Sequence, residues 1–150
     1  NLLIKTSRVA HLAVDAHRHV KVAGSAMTNK EANHYLKVIY DNANAALEYK
    51  SIIKEIEGSV KNNACIDRLI TRQQSFVFFL MVRMLKSSIK FKDVKKMISQ
   101  MHKIKAYPLT KFISKDYNGF VYSLLVKLFN IRNVYYFLFL ISNPLLRLKK

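Results

Sequence analysis

Glycine and proline are scarce in this chain, with 3 Gly and 2 Pro among 150 residues. Because β-sandwiches and barrels need many turn residues, this scarcity argues against an all-β fold and favours long helices with few breaks. Cysteine is scarcer still, since Cys65 stands alone and cannot form an internal disulfide. Its neighbours Ala64 and Ile66 are apolar, so we predict that Cys65 is a small buried hydrophobic residue rather than a reactive thiol.

Acidic residues are also few, and their distribution along the chain is uneven. The chain has 9 Asp and Glu against 26 Lys and Arg, a formal net charge of +17. Residues 1–67 are close to balanced, whereas residues 68–150 contain only two acidic residues, Asp93 and Asp116. A segment this basic repels itself unless a polyanion or an anionic surface screens the charge. The expected partner is therefore acidic.

The motifs of a self-contained enzyme are missing. No glycine loop cradles a phosphate, no Gly-x-Ser-x-Gly frame surrounds Ser25, and the carboxylates form no Asp-x-Asp pair. His11, His17, His19 and Asp15 lie close together, but no fourth metal ligand is evident and no Cys/His set has zinc-site spacing. We interpret them as partly exposed residues at a strand end, and we expect no catalytic residue and no metal site in this chain.

Apolar periodicity predicts a mainly α fold. It should consist of a short N-terminal extended segment over residues 1–28, followed by a bundle of about five helices. A capping box at Thr28–Glu31 predicts the start of the first helix, which should end near Glu57, before Gly58. A second helix is predicted to begin near Asn62–Asn63 and to continue to about Lys86. Its middle, Phe76–Val82, is apolar on every face, so it should form the core of the bundle.

Two further segments combine apolar and basic residues. Residues 91–107 have apolar side chains at helical spacing with lysines between them, which predicts a basic amphipathic helix ended by Pro108. In the last stretch, residues 133–146 carry no formal charge. Since a membrane span needs about 20 apolar residues, we predict that this run is buried or interfacial rather than transmembrane.

The segment Gly24-Ser25-Ala26-Met27-Thr28, before a long predicted helix, resembles the end of the catalytic domain in bacterial family 2 glycosyltransferases, the enzymes that build capsular and other surface polysaccharides. In that family a strand ends a few residues earlier in a Tyr-x-Tyr-like pair. Here His17 and His19 stand at those positions, and Val22 stands where a basic residue is common. Over residues 30–150 the resemblance is limited to amino-acid composition and to the order of the segments along the chain.

The resemblance implies a division of the chain into two parts. Residues 1–28 would be the last strand and loop of a catalytic domain, and residues 29–150 a basic helical C-terminal region. The nucleotide-binding sheet, the metal-binding Asp-x-Asp and the catalytic carboxylate would precede Asn1. We therefore expect a fragment that needs no cofactor itself, while the full-length protein would use a divalent metal with its nucleotide-sugar.

In the family, the loop after the last strand lies over the nucleotide-sugar. The residues expected to approach the donor diphosphate are therefore Arg18, His19, Lys21 and Ser25. Cations and hydroxyl donors suit a diphosphate, which is compatible with that role. The alternative is that these residues only end the strand and start the helix.

The leading functional hypothesis is the docking region of a glycosyltransferase that passes sugar from a nucleotide-sugar to a surface-polysaccharide or lipid-linked acceptor. It would be cytoplasmic and peripheral to the inner face of the cell membrane. Its expected partners are the anionic membrane surface, the missing N-terminal catalytic domain and, in a possible homo-oligomer, a second copy. The residues expected to dock are Lys92, Lys95, Lys96, Lys103, Lys105, Tyr135, Tyr136, Phe137, Phe139, Arg147, Lys149 and Lys150.

Two other classes remain open. A basic nucleic-acid-binding module fits the charge, but the chain has no zinc finger, no RNP-like strand motif and no helix-turn-helix signature. Nucleic acid is therefore the less favoured partner. A structural helical bundle that mediates subunit contacts would use residues 120–129 and 134–141 as an interface core.

Overall fold

The computed structural model describes residues 32–57, 63–112 and 119–147. These residues form five α-helices and no strand, which confirms the mainly α class and the predicted number of helices. The helices are α1 (Ala32–Glu57), α2 (Asn63–Leu85), α3 (Phe91–Lys103), α4 (Gly119–Asn130) and α5 (Arg132–Arg147). The extended segment over residues 1–28 and the capping box at Thr28–Glu31 lie outside the described residues.

Helix α2 forms the centre of the bundle, as its uniformly apolar middle predicts. Val77, Phe78, Leu80 and Met81 are all completely buried. The ring of Phe78 packs against three aromatic rings from the second half of the chain, at centroid distances of 4.4 Å from Phe112, 5.0 Å from Tyr122 and 5.8 Å from Phe129. This aromatic cluster joins α2 to α4 and to the loop that follows α3.

Helix α1 covers another side of α2. A small side chain lets the two helices approach closely, since Ala46 is completely buried at their contact. Gln73 of α2 is buried in the same region, and its Nε2 donates a hydrogen bond of 2.7 Å to the carbonyl oxygen of Ala46. A buried amide needs such a partner, because leaving it unpaired costs about 1–3 kcal/mol.

The ends of α1 and α2 agree with the sequence prediction, but the end of α3 does not. Helix α3 stops at Lys103, before the predicted Tyr107, because a left-handed turn closes it. Lys105 has a φ of 60°, the N–H of Lys105 donates to the carbonyl of His102, and the N–H of Ala106 donates to that of Met101, both at 3.0 Å. This is the Schellman arrangement, with lysine at the position that usually holds glycine.

The last stretch of the chain turns sharply at Ile131. The helix axis bends by 108° there, between α4 and α5. Helix α5 continues through Pro144 to Arg147. Methionines of α2 and α3 also contribute to the core: Met81, Met84 and Met101 are fully buried.

The prediction that Cys65 is buried is wrong, because its side chain is exposed. Cys65 lies on the same face of α2 as Arg68 and Arg72, at i, i+3 and i+7. Both arginines are exposed as well, so this face of α2 points to solvent.

Candidate docking surface

Exposed apolar side chains are concentrated on α4 and α5. Of the eight large apolar side chains that are strongly exposed in the described part of the chain, seven lie on these two helices or at the corner between them. We call the seven the apolar face; they are Phe120, Val121, Leu124, Ile131, Phe137, Leu140 and Ile141. A concentration of this kind is typical of an interaction surface, whereas single exposed apolar residues are ordinary.

The two rings of the apolar face are the most exposed members on their helices. Phe120 on α4 is 84% exposed, and Phe137 on α5 is 62% exposed. On α4, Phe120 and Leu124 are four residues apart, so they lie one above the other on one face of the helix. On α5, Leu140 and Ile141 follow Phe137 at i+3 and i+4, which gives a second single-sided stripe.

The opposite sides of the same helices anchor them to the bundle. Phe129 of α4 and Tyr135 and Phe139 of α5 are essentially buried. The hydroxyl of Tyr135 donates a hydrogen bond of 3.1 Å to the carbonyl oxygen of Met81, which ties α5 to α2. Each helix therefore packs on one side and leaves an apolar side uncovered by the rest of the described chain.

Polar contacts hold the corner between α4 and α5. The hydroxyl of Tyr107 donates to the carbonyl oxygens of Phe129, at 2.8 Å, and Asn130, at 3.2 Å. The side-chain oxygen of Asn130 in turn accepts a hydrogen bond of 2.8 Å from the backbone N–H of Leu109. These bonds satisfy carbonyls at the end of α4 that have no donor within the helix.

Gln74 extends this set of contacts to α2. Its Nε2 donates to the carbonyl oxygen of Pro108 at 3.1 Å, and its Oε1 accepts a hydrogen bond of 2.6 Å from the N–H of Lys111. Because Gln74 is buried, this pairing fixes the loop after α3 against the centre of the bundle. The angle between the two apolar stripes is thus set by contacts in the interior.

Burial also changes the ionisation of the two tyrosines that make these contacts. It raises the pKa of the Tyr135 phenol well above its usual value, and the neighbouring phenols of Tyr136 and Tyr107 raise it further. Burial raises the pKa of Tyr107 too, although the cation of Arg132 opposes the shift. Both side chains therefore remain neutral hydrogen-bond donors at physiological pH.

Cations border the apolar face. Lys127 and Arg132 are exposed at the corner of α4 and α5. The ammonium of Lys95 lies 4.5 Å from the centroid of the Phe91 ring, and that ring packs against Phe139 of α5 with 5.9 Å between centroids. The contact brings Lys95 of α3 next to α5.

The cations of α3 are not neutralised by nearby carboxylates. Within the described residues none of its lysines forms an ion pair. Elsewhere Lys111 pairs with Asp67 at 3.3 Å, but both side chains are more than half exposed, so the pair contributes little to stability. The basic side of α3 is free to meet an external anion.

The structure separates the residues that the sequence assigned to docking. The five lysines, Lys92, Lys95, Lys96, Lys103 and Lys105, are all exposed. Among the aromatic residues, Phe137 is exposed and Tyr136 is half-buried, whereas Tyr135 and Phe139 belong to the core. Tyr135 and Phe139 are thereby removed from the docking set, because their rings pack inward against α2 and α3.

Other predicted site residues lie outside the described part of the structure. The donor-loop residues Arg18, His19, Lys21 and Ser25 belong to this group, as do the lysines at 149 and 150. The histidines at positions 11 and 17, interpreted as strand-end residues, also lie outside the described residues. The side chain of Arg147 is not described either.

Sequence reasoning missed two features of the surface. The exposure of the stripe on α4 was not predicted: residues 120–129 were named only as an interface core in the structural-bundle alternative, although the spacing of Phe120 and Leu124 signals a stripe. The hydrogen bonds of Tyr107 and Asn130 were missed as well; the signal there is Asn130, a polar residue that follows a mostly apolar segment.

No group of three or more His, Cys, Asp or Glu side chains is placed to hold a metal ion within the described residues. No single described helix is long and apolar enough to cross a membrane, although α4 and residues 132–142 of α5 pass together, as a bent pair, by length and composition.

No protein-family model matches the chain, and no curated protein or solved structure matches it.

Proposed function

We propose that this chain docks peripherally on an anionic membrane surface through the apolar face and the cations beside it. The observation that carries the proposal is the exposure of seven large apolar side chains on α4, α5 and the corner between them, close to the exposed cations Lys127, Arg132 and Lys95. Apolar rings enter the boundary between headgroups and acyl chains, while lysines and arginines stay at the phosphate level. The combination suits a lipid surface better than a purely polar polyanion such as nucleic acid.

Ring insertion and cation attraction both contribute substantially to the free energy of membrane binding. Fully burying one phenylalanine side chain is worth about 1.5–3 kcal/mol, and each cation near an anionic bilayer adds about 1 kcal/mol. Phe120, Phe137 and a handful of cations would therefore give firm attachment. The attachment should weaken with salt, because the Debye length falls from about 30 Å at 0.01 M to about 10 Å at 0.1 M.

Flotation with lipid vesicles tests the proposal. The 150-residue chain should float with vesicles that contain phosphatidylglycerol, float much less with pure phosphatidylcholine, and lose binding as salt rises. The double variant Phe120→Ser/Phe137→Ser should reduce partitioning at least about tenfold, since it removes two inserted rings. Tyr40→Ser is the matched control, because it removes an exposed ring outside the apolar face and should leave vesicle binding unchanged.

Circular dichroism of each variant shows whether the helices remain folded. Equal flotation of the wild type and the double variant would contradict the proposal. Displacement from vesicles by duplex DNA at equal charge concentration would favour the nucleic-acid module instead.

We further propose that the docking region serves sugar transfer to a polysaccharide or lipid-linked acceptor. The support is the resemblance of Gly24–Thr28 to the loop over the nucleotide-sugar in family 2 glycosyltransferases. These 150 residues should show no turnover alone, because the resemblance assigns the nucleotide-binding sheet and the metal-binding Asp-x-Asp to a catalytic domain. In a protein that combines the chain with such a domain, a photoreactive UDP-sugar with Mn²⁺ should label residues 17–25. Arg18→Ala/Lys21→Ala should lower labelling and Lys5→Ala should not; turnover by the chain, or labelling unaffected by the double variant, would overturn this assignment.

A further inference from the structure

A shallow groove of about 150 Å³ lies between α1 and α3. Tyr40 and Asn44 of α1 line one side, and Asp93, Lys96 and Gln100 of α3 line the other. Met97, nearly buried, contributes to its floor. By helical periodicity the groove is on the opposite side of α3 from Phe91, which packs against α5. It is therefore separate from the apolar face.

The polar groups of the groove have no partners inside the described part of the protein. None of the five polar side chains that line it makes a hydrogen bond or an ion pair there. Two amides, one phenol, one carboxylate and one ammonium thus offer both donors and acceptors within one concave site. The ring of Tyr40, 49% exposed, adds an uncovered aromatic face.

The size and the mixed lining narrow the class of ligand. The volume is well below the range of about 300–1,000 Å³ that is usual for drug-sized ligands, so the groove suits a single ring rather than a nucleotide. A purely apolar ligand would leave the amides and charges unmatched, and a bare phosphate has no C–H surface to cover the exposed ring of Tyr40. A pyranose ring presents hydroxyls for the polar groups and C–H bonds for the tyrosine ring.

The rim of the groove adds a preference for negative charge. Lys92 and Lys103 lie on the exposed side of α3 with Lys96, at spacings that place them along one stripe of the helix. A carboxylate on the sugar would meet Lys96, while Asp93 would accept hydrogen bonds from hydroxyls. We propose that the α1–α3 groove binds one pyranose ring of an anionic saccharide. This inference does not depend on membrane docking.

NMR titration of the full 150-residue chain tests the groove. The probe is hyaluronan tetrasaccharide, in which glucuronate alternates with N-acetylglucosamine, and the neutral comparison is chitotetraose. We expect saturable shifts of the Asn44 and Gln100 side-chain amides with the acidic probe and at least about tenfold weaker binding of the neutral one. Inorganic phosphate at the same concentration should not reproduce the shifts.

Matched variants separate the groove from general charge attraction. Lys96→Gln and Asn44→Ala should each weaken binding of the acidic tetrasaccharide at least about fivefold, since each loses a polar contact to the ring. Lys95→Gln removes an equal charge one residue away, beside Phe91, and should leave the affinity nearly unchanged. Flotation of Asn44→Ala with anionic vesicles should match wild type, which keeps this test independent of the docking proposal.

Three results would overturn the saccharide site. The first is the absence of saturable shifts with the acidic tetrasaccharide. The second is an equal loss of affinity for Lys95→Gln and Lys96→Gln, which would mean that charge alone attracts the probe. The third is an equal response to inorganic phosphate.

Discussion

Lys105 occupies a backbone conformation that favours glycine. Its φ of 60° closes the Schellman turn after α3, and its side chain is exposed. A side chain in this left-handed region costs about 1–2 kcal/mol, and glycine avoids that cost. Part of the gain is offset because glycine has a larger conformational entropy to lose on folding. Lys105→Gly should therefore stabilise the protein by about 0.5–1 kcal/mol in urea unfolding. Lys103→Gly, inside the last turn of α3, should instead destabilise it, and a loss of stability in Lys105→Gly would contradict the assignment of the turn.

Tyr135 links the stability of the fold to alkaline pH. Its hydroxyl donates to Met81, and burial raises its pKa well above the usual value. An acid whose folded-state pKa lies above its unfolded value keeps its proton longer in the folded state. Its contribution to stability is therefore complete below pH about 10 and is lost as the pH rises through the folded-state pKa.

A comparison of wild type with Tyr135→Phe isolates this effect from the titration of lysines. At pH 7 the variant should be less stable by about 1 kcal/mol, because the hydrogen bond is lost. Above pH about 10 the difference should shrink and then reverse, because only the wild type must keep the buried phenol neutral. Denaturant unfolding at a series of pH values measures the difference in unfolding free energy between wild type and variant. A difference that stays constant from pH 7 to 11 would contradict the linkage.

At the scale of elements, the close contact of α1 with α2 depends on small side chains. Ala46 is completely buried there, and its carbonyl accepts the hydrogen bond from Gln73. Ala46→Leu should destabilise the protein by about 1–3 kcal/mol, since the added atoms push the helices apart. Ala45→Leu, one residue away and partly exposed, is the control and should change stability by less than about 0.5 kcal/mol. Equal effects of the two substitutions in urea unfolding would mean that the helices are not packed closely at this point.

The same elements show how far the sequence predicts the structure. The body of α2 was predictable because an uninterrupted apolar run leaves no polar face, and Gly58 marks the end of α1 clearly. The end of α3 was not, because Lys105 takes the left-handed position without the glycine that usually signals it. The corner at Ile131 was missed for a similar reason, since neither glycine nor proline stands there.

The docking surface was predictable only in part, again for a physical reason. Exposed lysines on α3 follow from its amphipathic pattern, which depends on one helix alone. Residues 134–141 are apolar on all sides, so the sequence does not tell which side of α5 faces the bundle. Tertiary contacts decide it: the hydrogen bond from Tyr135 to Met81 turns Tyr135 and Phe139 inward and leaves Phe137 outside.

At the scale of the whole molecule, net charge opposes folding and assists binding. A formal charge of +17 on 150 residues raises the free energy of the compact state through self-repulsion. The carboxylates in the second half of the chain are too few to offset it, since Asp93 and Asp116 are the only acidic residues after position 67. An anionic bilayer would relieve this repulsion by the same attraction that holds the protein at its surface.

Salt should therefore change folding and membrane binding in opposite directions. Raising sodium chloride from about 20 to about 300 mM shortens the screening length severalfold, which weakens repulsion among the protein's cations and also their attraction to lipid phosphates. The Tm of the free protein should rise over this range while flotation with phosphatidylglycerol vesicles falls. At low salt, adding those vesicles should raise the Tm, because binding selects the folded state with its assembled apolar face. A Tm that falls with salt would show that the cations are offset within the fold and are not available to a membrane.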